Sequence, residues 1–160
     1  MKLMSRLVLI VLIASLLAIP FAPPAAAYPG GWTDPDDVST PLDLKSGSHN
    51  DDLSIFEFVI QTYGNWPDSF ADLFAWYMDT TGDGFADYGV FVYWNGYSLV
   101  GQVETPSSII GSANVSRPAS NALRVTFNRS TIGNPNGYLY QAFTWFDTNG
   151  NGIDEDNEVD

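Results

Sequence analysis

Gly89-Val-Phe-Val-Tyr-Trp-Asn-Gly-Tyr-Ser-Leu-Val-Gly-Gln-Val103 is the stretch from which the fold follows. β-branched and aromatic residues fill two runs. The Asn95-Gly96 pair between them suits a two-residue hairpin turn, because both residues tolerate positive φ. Pairing outward sets Trp94 against Tyr97, Val92 against Leu99 and Val90 against Gly101. Side chains alternate along a strand, so these positions share one almost wholly apolar face, predicted to meet the core. Phe91, Val100, Tyr93 and Ser98 fall on the other.

The same grammar extends both ways along the chain. Leu42 to Ser46 and Leu53 to Thr62 read as strands around a turn spanning Gly47 to Asp52, which places His49 on a surface turn. Leu73 to Met78 reads as another strand, as do Ala113 to Arg117, Ala122 to Phe127 and Tyr138 to Phe146. Short strands separated by Gly, Pro and Asn predict an all-β fold. The expected form is an antiparallel β-sandwich of about eight strands, immunoglobulin-like or jelly-roll.

Upstream, Lys2 and Arg6 precede the apolar run Leu7 to Ala18, and Ala25-Ala26-Ala27 follows three prolines. This is the order of a cleavable secretory signal at residues 1–27. The run is too short for a span of about 20 apolar residues. The reading is therefore a secreted, extracellular chain with no membrane span after cleavage. Residues 28–41 form a lead-in segment, and 42–160 the β domain. The mature part keeps only Lys45, Arg117, Arg124 and Arg129 against all 19 acids, a net charge of −15. Such a balance argues against nucleic acid, which is held through Lys and Arg, and points to cations. No cysteine is present, so stability comes from the core or from metal.

Two Asp-led loops align without gaps: Asp79-Thr-Thr-Gly-Asp-Gly-Phe-Ala-Asp87 and Asp147-Thr-Asn-Gly-Asn-Gly-Ile-Asp-Glu155. Calcium takes six to eight hard oxygens, and side chains at alternating positions supply several from one short loop. The predicted ligands are Asp79, Thr81, Asp83 and Asp87 with the Phe85 carbonyl. In the second loop they are Asp147, Asn149, Asn151 and Glu155 with the Ile153 carbonyl, and Glu158 at position 12. The second loop resembles EF-hand, dockerin and thrombospondin type 3 calcium loops, although no helix precedes it. Calcium is thus the expected cofactor, stabilising loops at one end of the sheets. The competing reading is that both loops are polar turns in which Asp, Asn and Gly satisfy local geometry.

Trp66, Trp94 and Tyr97 are the aromatics expected to stack on a sugar if the chain binds one. His49, the single histidine, has no partner set for zinc or a catalytic triad. Asn114-Val-Ser116 and Asn128-Arg-Ser130 match the N-glycosylation sequon. The Leu-Asp-Leu lead strand at 42–44, the run Phe58-Val-Ile-Gln-Thr-Tyr63 and the first Asp loop form a layout that resembles small exported β-sandwich proteins. These are distantly similar to DOMON domains and family 9 carbohydrate-binding modules, and the resemblance implies ligand binding by a sandwich. The expectation is a secreted, non-enzymatic calcium-binding β-sandwich with a binding or adhesion role at or outside the cell envelope. Its partner would be an extracellular glycan or surface protein. The alternatives are a carbohydrate-binding module and a secreted hydrolase using acidic residues.

Overall fold

The computed structural model describes residues 31–37, 40–51, 54–70 and 73–146, and the backbone of 156–159. Residues 1–30, which include the predicted signal at 1–27, and residues 147–155, the predicted second Asp loop, lie outside the described residues. The strands are β1 (Gly31–Thr33), β2 (Leu44–Asp51), β3 (Ile55–Thr62), β4 (Leu73–Asp79) and β5 (Tyr88–Trp94). They continue as β6 (Leu99–Thr105), β7 (Ser108–Ala119), β8 (Ala122–Asn128), β9 (Leu139–Phe146) and β10 (Asp156–Val159). Short 3-10 turns at Asp68–Phe70 and Arg129–Ile132 complete the elements. Among the described residues no helix is long and apolar enough to cross a membrane.

The chain is antiparallel β, in keeping with the predicted class. Its strands are bonded in the continuous order β1-β2-β3-β8-β7-β6-β5-β4-β9-β10, curled into a half-barrel. The corner is β7. Its first half, from Ser108 to Ala113, pairs with β6, and its second, from Asn114 to Ala119, pairs with β8. Register shifts interrupt both ladders, the second beside Pro118, which lacks the N–H a ladder needs. A long strand that changes partner at irregular points turns a sheet through a corner.

Period-two patterning sets what the curl encloses. Phe56, Phe58 and Ile60 of β3 and Leu123, Val125 and Phe127 of β8 point inward from one half. Phe74, Trp76 and Met78 of β4 and Val90 and Val92 of β5 point inward from the other. The rings of Phe58 and Trp76 stack across the gap at 5.7 Å between centroids. A second apolar cluster lies on the opposite side of β4 and β5, where Tyr77 meets Phe91 at 5.6 Å and Phe143 at 4.7 Å. Burial, and after it the charge of Glu104, pushes the Tyr77 hydroxyl above its ordinary pKa.

Two local expectations change. The β5–β6 turn centres on Gly96-Tyr97, with the Asn95 N–H donating to the Ser98 carbonyl at 3.2 Å. Gly96 takes φ +99°, and the Asn95 carboxamide oxygen accepts from the Tyr97 and Ser98 N–H groups. Trp94 therefore pairs with Leu99, Val92 with Gly101 and Val90 with Val103. The slip of two preserves parity, so Val90 and Val92 still face the core. The predicted turn at Gly47 to Asp52 is mostly strand. β2 runs through it because Trp32 of β1 lies against Gly47, where a Cβ would come within 2.4 Å of the indole. His49 is consequently a buried strand residue, 7% exposed, opposite Phe58 and bonded through Nδ1 to the Tyr140 hydroxyl at 3.2 Å.

Candidate metal centres

The first Asp loop joins β4 to β5, and two carboxylates organise it. Asp79 is 1% exposed at the end of β4. Its Oδ1 accepts from the Gly82 N–H at 2.6 Å, the Thr81 N–H at 3.1 Å and the Thr81 hydroxyl at 3.3 Å. Its Oδ2 accepts from the Gly84 N–H at 2.8 Å. Asp87 closes the other side, with Oδ2 accepting from the Thr80 N–H and hydroxyl, each at 2.8 Å, and from the Thr81 N–H at 3.1 Å. Asp83 accepts the Phe85 N–H at 2.9 Å. Gly82 and Gly84 hold positive φ of 76° and 87°, which turns their amides inward at little cost for glycine. Burial works to raise the Asp79 pKa. The Gly84, Gly82 and Thr81 amides and the Thr81 hydroxyl outweigh it and hold the pKa below its usual value.

This loop is shaped by carboxylate-to-amide bonds. Asp79, Asp83 and Asp87 turn onto their own backbone, and the exposed Phe85 side chain projects outward. Carboxylate oxygens gather closely elsewhere. Asp34, Asp37 and Asp43 each place an oxygen within 4.8 Å of the others. Asp43, just before β2, is 1% exposed. Asp34 follows β1 and is fixed on both sides: its N–H donates to the Lys45 carbonyl at 3.0 Å, and its carbonyl accepts the Tyr63 hydroxyl at 2.7 Å. Its Oδ2 is buried and meets no hydrogen-bond donor. Burial, with the charges of Asp36, Asp43, Asp34 and Asp37, raises the pKa of the Tyr63 hydroxyl. Three carboxylates this close repel unless a cation or protons offset them, and an all-oxygen set is one that hard cations prefer.

Asp34 and Asp37 were read from sequence only as part of the lead-in segment, and Asp43 only as part of the strand Leu42 to Ser46. The available signal was four acids, Asp34, Asp36, Asp37 and Asp43, within ten positions. Which of them converge depends on β1 pairing with β2, a contact the one-dimensional pattern does not contain.

Asp147, Asn149, Asn151, Ile153 and Glu155 lie outside the described residues, and Glu158 occupies the β10 position opposite Thr144. β4 and β9 are antiparallel neighbours, so the loop after Asp79 and the loop after Phe146 leave the sheet at opposite ends. The expectation that both stabilise one end is corrected by that register. Trp66 is also misplaced as a sugar platform. It is 3% exposed, its ring lies 4.9 Å from Phe74, and the Arg117 guanidinium stacks 3.6 Å above it. Its indole N–H donates to Thr62 Oγ1 at 3.1 Å. Trp94 is half-buried, and Tyr97 at the hairpin tip is 91% exposed.

Comparison with protein-family models, curated proteins and solved structures gave no match to this chain.

Proposed function

We propose that this is a secreted, non-enzymatic calcium-binding β-protein with a binding or adhesion role at the cell envelope or outside it. The observation that carries the reading is the convergence of Asp34, Asp37 and Asp43, including a buried Asp34 oxygen with no donor. The strongly acidic composition supports it. So does the export reading, since extracellular modules work with calcium dissociation constants of about 10⁻⁴ to 10⁻³ M. The finer fold description belongs to the same proposal. The halves that face each other across Phe58 and Trp76 act as the layers of a sandwich, with β7 as their shared corner.

The Asp-led loops take second place in this reading. Asp79 is chiefly the keystone of its turn, and any ligand role there is additional to that.

Calorimetry and melting of residues 28–160 test the proposal. With a dissociation constant of about 10⁻⁴ M, about 10 mM calcium stabilises the fold by roughly 2.7 kcal/mol. Asp43→Asn and Asp34→Asn each remove most of that gain. No binding heat and no calcium-dependent shift in the unsubstituted chain would refute the proposal. A shift that survives both substitutions but disappears with Asp83→Asn would move the site to the first loop.

A sugar-binding alternative retains one supporting observation, the exposed Tyr97 ring at the tip of the β5–β6 hairpin.

A further inference from the structure

The two sequons fall together in the fold. Asn114 on β7 pairs with Thr126 on β8, and Asn128 lies two residues beyond Thr126 on the same strand. Residues two apart on a strand share a face, so Asn114 and Asn128 are diagonal neighbours, about 7–8 Å apart by strand geometry. Both asparagines are exposed, as are Ser116 and Ser130, the hydroxyl residues of the two sequons. Asn128 occupies the cap position of the 3-10 turn with extended backbone, yet its side chain makes no capping bond. Among the described residues neither carboxamide is engaged in a side-chain hydrogen bond. Buried or turn-forming asparagines usually spend their amide locally. These two leave it to solvent.

A depression of about 460 Å³ adjoins Asn114 and is walled by Ile55, Glu57, Ser116, Arg124 and Thr126. The paired Glu57 and Arg124 side chains line it with an acceptor and a donor, the equipment for hydrogen-bonding sugar hydroxyls. The apolar cluster of Tyr77, Phe91 and Phe143 belongs to the other half of the sheet. The face around Asn114 and Asn128 is mostly polar, with the exposed Ile55 opposite Asn128.

From this placement we infer that the outer face of β3, β8 and β7 is a glycan-bearing face, modified at Asn114 and Asn128. The donor is a polyprenyl-pyrophosphate-linked oligosaccharide. The asparagine Nδ2 forms a bond to C1 of the first sugar as the C1–oxygen bond to pyrophosphate breaks. Nδ2 gives up one proton to a base of the transferase, and polyprenyl pyrophosphate leaves. No oxidant or reductant is needed. The modification accompanies export, before the strands close, and the finished sheet holds both glycans outward. The inference rests on the export part of the proposed function and is independent of calcium.

Intact-mass spectrometry of the protein purified from the cells that export it provides the test. The expected product begins at Tyr28 and exceeds its polypeptide mass by two glycans. Asn114→Gln and Asn128→Gln each remove one, and the double substitution removes both. Ser116→Ala and Ser130→Ala do the same with both asparagines intact, whereas Ser116→Thr and Ser130→Thr keep the glycans. A single glycan, lost on substitution of only one of the two asparagines, upholds modification at that position and overturns it at the other. A chain that begins at Tyr28 at its bare polypeptide mass overturns the inference and leaves export standing. A chain that still begins at Met1 with no added mass overturns both.

Discussion

Asp79→Asn separates the two roles a carboxylate can play in the first Asp loop. The side chain accepts four hydrogen bonds, three at Oδ1 and one at Oδ2. A carboxamide keeps one oxygen for the Thr81 and Gly82 donors but turns an NH₂ group toward the Gly84 N–H, a donor facing a donor. It also removes the charge that strengthens all four bonds. Hydrogen bonds to charged groups contribute about 1.5–3 kcal/mol each. They are not additive here, because Gly82 is exposed and Gly84 half-exposed, so water recovers part of the loss. The expected cost is about 1.5–3 kcal/mol, read as a urea midpoint roughly 1 M lower. Tryptophan fluorescence follows unfolding in chelator and again with calcium. The sign with pH follows from the lowered pKa of Asp79 in the fold. Its contribution is complete above the unfolded value of about 3.9 and is lost as pH falls through the folded value. The gap between the two proteins is therefore constant from pH 7 to pH 5 and narrows below pH 4. A cost under about 0.5 kcal/mol in chelator would refute the keystone role. A cost seen only with calcium would make Asp79 a ligand instead.

Trp66→Ala costs about 3–5 kcal/mol by chemical unfolding, as expected for a buried indole. Tyr97→Ala changes stability by under about 0.5 kcal/mol, and on a glycan array it is the substitution that removes any sugar binding. Gly101→Ala destabilises by about 1–3 kcal/mol in urea melts, because its Cβ would lie 2.7 Å from the Ala113 carbonyl and 2.8 Å from Val115 Cγ2. Gly84→Ala meets nothing within 4 Å but holds φ +87°, so its cost of about 1–2 kcal/mol is backbone strain alone. Unlike Gly101→Ala, it leaves the core fluorescence of the native state unchanged.

Strand identity was accessible from sequence wherever burial is one-sided. Leu123, Val125 and Phe127 of β8 show their inward face through alternation alone. β4 and β5 are apolar on both parities and buried on both faces, so there the hairpin pairing assigned Val90 and Val92 to the core. Pairing was less accessible. Asn95-Gly96 names a turn, but the choice between Asn95-Gly96 and Gly96-Tyr97 as central residues depends on where the Asn95 side chain finds donors. The polar run Gly47 to Asp51 lacks β-propensity, yet it is held as strand by the Trp32 indole on one side and Phe56, Phe58 and Ile60 opposite on the other. Tertiary context overrides local preference there. The internal hydrogen bonds of the first Asp loop were local and within reach of its Asp, Thr and Gly spacing. Asp34 and Asp43 were not, because they meet through strands that the polar lead-in conceals.

The place of the carboxylate cluster gives its chemistry a mechanical sense. β1 has three residues and forms the outer edge of the sheet, bonded only to β2 among the described strands. So short an edge gains little from its own ladder. Asp34 leaves its end and Asp43 leads into β2, so a cation held between them would clamp the chain on both sides of the first pairing. The segment before β2 also meets the last turns of β9, where Thr144 Oγ1 donates to the Leu42 carbonyl at 3.0 Å. A clamp at this point therefore draws together the two ends of the curled sheet, the contact by which the half-barrel nears closure. Calcium abundance outside the cell would then govern how firmly that seam is held. Hydrogen exchange should register this as calcium-dependent protection concentrated in β1, β2 and β9. Uniform protection across all strands would instead mean that the ion stabilises the fold without gripping the seam.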